Sequence, residues 1–420
     1  MSTFGRMFRV TTYGESHCKS VGVIVDGCPP GIALSEQDVQ PQLDRRRPGQ
    51  SNLTTPRNEK DRVEIQAGVE LGYTLGSPIA MRVPNEDQRP HDYGDAMTQY
   101  PRPSHADWTY LQKYGVKSSS GGGRSSARET IGRVAASAIA EKYLKQAHGI
   151  EVVAFVASVG NVHAEPPAEY DAGHKDAFLA SWHAYWERLH TITREQVDAD
   201  LVRCPFPDVS AAMKRRIEAA RDDHDSIGGT IVCVIRGVPA GLGEPAFDKL
   251  QATLAHAMLS IPATKGFEYG SGFAGGSIPG HVHNDAFVLK DDAMRTHTNF
   301  SGGIQGGISN GEPIYFKVVF KPAATIGQAQ ATANYAGVAG TLAAKGRHDP
   351  CVLPRAVPIV EAMATLTIID ALLVQYSRQQ ALQHTLPGAA IPAPLRPFKP
   401  ADVAAEASQA AASQTDPTRD

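Results

Sequence analysis

The chain has 420 residues, 42% hydrophobic and 20% charged, which provides for a large core and excludes an intrinsically disordered protein. A formal charge of −3, from 41 Lys and Arg against 44 Asp and Glu, excludes a bulk basic field for nucleic acid. The five cysteines (Cys18, Cys28, Cys204, Cys233, Cys351) are widely spaced with no CxxC pair, and no stretch reaches the roughly 18 uninterrupted apolar residues of a membrane span.

These features, with an N-terminus that lacks an apolar signal core, predict a reducing, cytoplasmic setting with no membrane and no nucleic-acid partner. In chain order, Val21 to Val25 reads as a strand closed by the turn Asp26-Gly27-Cys28-Pro29-Pro30. Residues 44–61 read as a long polar loop, Val63 to Ile65 and Ile79 to Val83 as short strands, and 84–125 as mostly irregular. Ile131, Val134, Ala135, Ala138, Ile139 and Tyr143 fall at helical spacing, and the small residues among them permit close approach of a second helix. Glu151 to Val159 reads as a strand and 163–207 as a peripheral polar stretch. Ala211 to Arg221 reads as a charged helix, Thr230 to Arg236 as a strand, and Phe247, Leu250, Leu254, Met258 and Ile261 as one helix face. Ile314 to Phe320 reads as a strand and Pro354 to Gln380 as the longest helix, its prolines tolerable only near the start. Residues 385–420, rich in Ala, Pro and Gln, read as a disordered tail after one domain at 1–384. No internal repeat stands out. The loose alternation of strands and helices predicts an α+β fold, with sheets against helices.

Four segments carry candidate chemistry. Gly14-Glu15-Ser16-His17 places a histidine in a loop, as a general acid or base or as a surface residue beside a capping serine. Gly121-Gly122-Gly123-Arg124-Ser125-Ser126-Ala127-Arg128-Glu129-Thr130 opens a helix. Free N–H groups there suit a phosphate, and two arginines near the positive dipole end suggest a compensating anion; a flexible linker with a capped helix is the plainer alternative. Arg45-Arg46-Arg47 with Arg57 is an anion-binding set or a solvated charge run. Asp349, in Arg347-His348-Asp349-Pro350-Cys351, is an N-cap or a catalytic carboxylate. Gly241 and Gly243 in GLGEPA imitate part of a dinucleotide fingerprint, which would suit an NAD-type dehydrogenase, but no acidic residue follows at the required place, and Pro245 at a helix start explains the segment. His281-Val282-His283 is an isolated pair in a Gly-rich stretch, and no metal site is expected.

Taken in order, the segments GESHCKSVGVIVDGCPPG at 14–31, GGGRSSARETIGRVAASAIA at 121–140 and GRHDPCVLPRAVPIVEAM at 346–363 resemble the chorismate synthase family. DRRRPGQ at 44–50, RPSHADWTYLQKYG at 102–115, GVPAGLGEPAFDKL at 237–250 and GGIQGGISNGEPI at 302–314 lie between them, and the resemblance covers roughly residues 4–380. It implies an α+β sandwich of antiparallel sheets around a helical core, built from two similar halves and assembled as a homotetramer. It implies a lyase that converts 5-enolpyruvylshikimate 3-phosphate to chorismate and phosphate by an anti-1,4-elimination, the last shared step toward aromatic amino acids. Reduced FMN is required without net oxidation, because the departing hydrogen is poorly acidic and the flavin lends an electron to the step.

The resemblance also implies residue roles. His17 matches the acid for the leaving phosphate, His105 the histidine that interacts with reduced flavin, and Asp349 the carboxylate near flavin N5, with Ser16 a relay. Arg124, Ser125, Ser126, Pro262, Ala263, Gly306, Lys321, Pro322, Ala323, Ala324, Thr325 and Arg347 match FMN-binding positions. Arg46, Arg47, Arg57, Arg128 and Arg133 are the substrate candidates. Asn52 stands where relatives commonly carry an arginine of a pair, with the position of Arg46, linked to NADP. It fits reliance on a separate flavin reductase rather than NADPH bound by the chain itself. A non-catalytic flavin- or phospho-ligand-binding protein on the same scaffold is the alternative.

Overall fold

The computed structural model describes residues 2–51, 53–54, 59–86, 98–118, 121–164, 166–290, 293–344 and 349–383, with side chains to residue 381. Contacts divide the chain into Met1–Gln375 and Tyr376–Asp420. The described part of the second unit is helical, and the architecture below is that of the first. The tail at 385–420, Asn52, Arg57 and Arg347 lie outside the described residues.

One antiparallel sheet comprises Thr3–Phe4 (β1), Arg9–Tyr13 (β2), Ser20–Asp26 (β3), Glu64–Ala67 (β4) and Ile79–Pro84 (β5), in the order β1-β2-β3-β5-β4. In β3, Val21, Val23 and Val25 are buried while Ile24 faces outward, the alternation of a sheet with one covered face. A second antiparallel sheet comprises Glu151–Val159 (β6), Val162–His163 (β7), Gly229–Arg236 (β8), Thr264–Tyr269 (β9) and Ile314–Phe320 (β10), in the order β9-β10-β8-β6-β7.

Helices lie between the sheets. Glu36–Arg46 (α1) and Thr130–His148 (α3) pack together, and α3 also meets β2, β3 and β6. Small side chains set that distance: a Cβ on Gly132 would lie 2.8 Å from the Gly22 carbonyl oxygen of β3. The close neighbour that the small residues permit is therefore a strand as well as a helix. Leu353–Gln383 (α7) is long and apolar enough in composition to cross a membrane, but Leu353, Val357, Val360, Leu366, Ile369 and Leu372 are buried, and it is a core helix. Pro358 cannot donate to the Pro354 carbonyl, and Arg203 Nη1 donates to that oxygen instead.

The two halves repeat. Gly27-Cys28-Pro29-Pro30-Gly31-Ile32 follows β3 as Gly237-Val238-Pro239-Ala240-Gly241-Leu242 follows β8. The hairpin at 68–79 is echoed at 303–314, with Thr74 and Ser309 in register. Gly31 N donates to Thr74 O at 2.8 Å and Gly241 N to Ser309 O at 2.9 Å. Thr74 Oγ1 donates to Pro29 O at 2.8 Å and Ser309 Oγ to Pro239 O at 2.6 Å. The repeat is thus written as glycines and prolines at fixed offsets.

Other expectations need correction. The polar loop begins only at Arg47, because Asp44, Arg45 and Arg46 complete α1. Asp107–Tyr114 (α2) lies in the stretch expected to be irregular. The segment 163–207 is not merely peripheral: Lys175–Thr191 (α4) buries Phe178, Trp182, Trp186 and Leu189, and both indoles pack on Phe300. Pro207–Asp222 (α5) matches the charged helix. Leu250–Leu259 (α6) starts after Phe247, which is 99% exposed and belongs to no helix face. Pro245 likewise opens no helix; Gly243 instead bridges to Ile308.

Candidate active site

The glycine run that precedes α3 organises the site. Gly121 (φ +69°) and Gly123 (φ +54°) take left-handed conformations. A Cβ on Gly121 would lie 2.5 Å from Ser16 Oγ and 2.7 Å from His17 Cδ2. A Cβ on Gly122 would lie 3.4 Å from His105 Cε1. Two histidines distant in sequence therefore lie beside adjacent glycines. Ser16 is buried, and its hydroxyl has no hydrogen-bond partner among the described residues.

Both imidazoles sit on braced segments. Arg124 Nη1 donates to Gly14 O at 2.9 Å, and its Nη2 donates to Thr12 O at 3.2 Å and Thr12 Oγ1 at 2.7 Å, so it ties β2 and the His17 loop to the glycine run. Asn85 Nδ2 donates to Glu15 O at 3.1 Å and Cys18 O at 2.6 Å. His105 Nδ1 lies 2.9 Å from Asp107 Oδ1, so the carboxylate places negative charge beside the ring. Burial alone would raise the Asp107 carboxyl; hydrogen bonds from Arg102 and His105 hold it far below the usual carboxylate range.

Arg102 joins the parts. Its Nε and Nη2 both meet Asp107 at 2.8 Å, Nη2 also donates to Gly121 O at 3.1 Å, and Nη1 donates to Thr325 Oγ1 at 3.4 Å. Thr325 ends the segment Lys321-Pro322-Ala323-Ala324-Thr325, and Lys321 N donates to Ala263 O at 2.9 Å. Pro262 and Ala263 are thereby joined to that segment, with Ala263 at φ +72°, a conformation rare for a residue with a Cβ. Burial, then the neighbouring Lys265, pushes the Lys321 ammonium below its ordinary value.

Arg45 and Arg46 are not solvated. Arg46 is 1% exposed, and its Nη2 pairs with Asp61 Oδ2. Asp61 also pairs with Arg128 Nη1 at 2.9 Å. Burial would raise Asp61; Arg46 and Arg128 outweigh it and hold the carboxyl low. Part of the negative charge that the arginines at the helix start call for is therefore the protein's own. Arg45 spans Asp198 at 2.6 Å and Glu361. Arg47 is more open, 3.9 Å from Asp44. Asp349 stands outside α7, so the cap reading fails; its Oδ2 accepts from Arg355 Nη1 at 2.8 Å, and Arg355 Nε reaches Arg46 O at 3.5 Å.

Other expected ligands are braced by neighbouring groups of the protein. Arg133 bonds Glu129 at 2.9 Å and Ser260 Oγ at 2.7 Å. Ser125 Oγ turns back to Gly122 O at 2.6 Å, and Ser126 Oγ caps Arg128 N at 3.2 Å. Gly306 (φ +60°) turns the hairpin beside Gly243 and α6. Arg102, Asp107, Asp61, Asn85 and Arg355 were not among the expected site residues. For the first two the signal was available, since opposite charges bracket His105 in Arg102-Pro-Ser-His-Ala-Asp107.

A buried hydroxyl with spare bonding capacity and an adjoining Lys321 segment suit a polar cofactor together with an anionic substrate. Fold and site define an α+β sandwich enzyme with two imidazoles at one glycine turn. The chorismate synthase family profile matches residues 8–373, and the chain belongs to that family. It is 64% identical to chorismate synthase aro-2 of Neurospora crassa over 91% of this chain and 92% of that one. It is 63% identical to the Schizosaccharomyces pombe chorismate synthase over 93% and 100%. It is 56% identical to a Synechococcus sp. chorismate synthase over 89% and 98%. A crystal structure of chorismate synthase, 28% identical, superposes with a TM-score of 0.67 over 91% of this chain and 99% of that one.

Proposed function

We propose that this chain is a chorismate synthase, a carbon–oxygen lyase that converts 5-enolpyruvylshikimate 3-phosphate to chorismate and phosphate. The observation that carries the reading is the placement of His17 and His105 beside adjacent glycines, Gly121 and Gly122. Family membership supplies the reaction, and this juxtaposition supplies two proton-handling groups for one ligand.

Reduced FMN is the proposed cofactor, and when bound it supplies the electron density that helps the allylic phosphate depart. The Lys321 to Thr325 segment, Pro262, Ala263, Ser125 and Ser126 are the groups of this chain that would hold it, with Arg347 and Gly306 completing the set. The chain's own chemistry is proton management. His17 delivers a proton to the leaving phosphate. His105, with the Asp107 carboxylate beside it, is the group for proton exchange at the cofactor edge. Asp349, oriented by Arg355, accepts a proton, with Ser16 as the relay. Arg47, Arg57, Arg128 and Arg133 offer positive charge to the substrate phosphate and carboxylates, while the buried Arg46 holds Asp61 behind them.

The working form is proposed as a homotetramer of one catalytic domain, 1–384. Leu71, Phe247 and Phe273, at 93%, 99% and 88% exposed, give apolar surface for association. Five free thiols suit a cytoplasmic location. Anaerobic incubation of the purified protein with photoreduced FMN and the enolpyruvyl substrate yields chorismate and phosphate. Equal turnover with oxidised FMN and no reductant refutes the flavin role. A parallel run with oxidised FMN and NADPH decides between a separate flavin reductase and reduction by the chain itself.

A further inference from the structure

We propose that Asn85 is the positioning residue for His17, an inference that rests on the proposed lyase reading. Asn85 follows β5, and its backbone N–H donates to Lys19 O at 3.2 Å, one bond beyond the β3–β5 ladder. The side chain then lies across the 15–18 loop. Nδ2 donates to Glu15 O at 3.1 Å and to Cys18 O at 2.6 Å, the two carbonyls that bracket Ser16 and His17. Oδ1 accepts from Arg128 Nε. Two donors toward carbonyls and one acceptor toward a guanidinium fix the amide's orientation without ambiguity.

The Cys18 thiol adds weaker contacts of its own to the loop. Cys18 Sγ sits 3.0 Å from Glu15 N, 3.1 Å from Glu15 O and 2.9 Å from Ser20 O, but a thiol is a weak donor and acceptor. Arg124 holds the loop at Gly14, before the bracketed pair. The amide is itself anchored, because Arg128 also bonds Asp61 at 2.9 Å and Pro84 O at 3.1 Å. Asn85 thus links the arginine set to the imidazole that rests on Gly121, and a shift of the loop moves His17 relative to the glycine run.

Asn85→Asp separates the two duties, because it keeps an acceptor for Arg128 and removes both donors to the loop. In the anaerobic assay with reduced FMN its kcat falls about 10–100-fold, the cost of a misplaced group, while KM for the enolpyruvyl substrate stays within about twofold. Asn85→Ser, with one donor, falls between it and the unaltered protein and serves if the aspartate variant does not fold. In ¹⁵N-histidine spectra, with His17 assigned by His17→Ala, the His17 signal shifts in the Asn85 variants and the His105 signal does not. An unchanged kcat, a rise in KM alone, or an unmoved His17 signal overturns the proposal. If the unaltered protein makes no chorismate while the His17 signal still moves, the lyase reading fails and the positioning role stands.

Discussion

Arg102 Nη2 lies 3.1 Å from the carbonyl oxygen of Gly121, the glycine on which His17 rests. The same guanidinium grips Asp107, whose carboxylate lies beside His105, so one side chain links the segments of both imidazoles to one turn. Arg102 and Asp107 side chains are 9% and 15% exposed, so their pair is nearly desolvated. Arg102→Ala strands the carboxylate and is expected to cost about 3–5 kcal/mol in urea unfolding. Arg102→Lys keeps the charge but loses the fork, with a smaller stability loss and a clear fall in turnover.

Gly121→Ala is expected to lower turnover about 100-fold, because its Cβ would lie 2.5 Å from Ser16 Oγ and 2.7 Å from His17 Cδ2. Gly31→Ala is the control. It has φ +81° and nothing within 4 Å of the added Cβ, so it incurs only backbone strain of roughly 1–2 kcal/mol. Thermal unfolding and steady-state assay of the two variants separate strain from displacement of the histidine.

Acid stability follows from Asp61 and Glu361. Burial opposes ionisation of each, yet Arg46 and Arg128 hold Asp61 low, and Arg45 and Arg194 hold Glu361 low. A folded pKa below the unfolded one contributes stability that is complete above the unfolded values of about 3.9 and 4.3. That stability is lost as pH falls through the depressed folded values. Urea midpoints are therefore expected to hold from pH 7 to about pH 5 and to drop below about pH 4. Asp61→Asn shows a smaller drop from a lower starting point.

Thiol reactivity gives an independent check. Burial pushes Cys28 and Cys351 up to about 12 and Cys204 to about 11, and holds Cys233 well above its ordinary value. Cys18 is half-buried. A disulfide reagent is expected to titrate Cys18 alone in the native protein and all five thiols in denaturant. Turnover is expected to fall in step with that first thiol, since an adduct displaces the His17 loop.

Much of this was legible in the sequence because it is local. The strand Glu151–Val159 and the small-residue helix at Thr130–His148 follow from periodicity and glycine placement. The motif at 14–17 and the glycine run at 121–123 are each visible, but their contact is made across the sheet and the helix start, where no spacing rule reaches. Arg46 reads as solvated on charge alone, and only the fold supplies Asp61 as its partner. α4 reads as peripheral because its Lys, His and Arg residues hide an aromatic face that is covered by Phe300. The internal repeat is hard to see in the sequence because its signature is a set of positive-φ glycines and not a run of similar side chains.

The most direct test compares His17→Ala and His105→Ala with the unaltered protein under anaerobic conditions with photoreduced FMN. Each variant is expected to lose 10²–10⁴-fold in kcat, the usual range for a positioned acid or base, while FMN and substrate still bind. Turnover within twofold of the unaltered protein for either variant would contradict a site built from two imidazoles on one glycine turn.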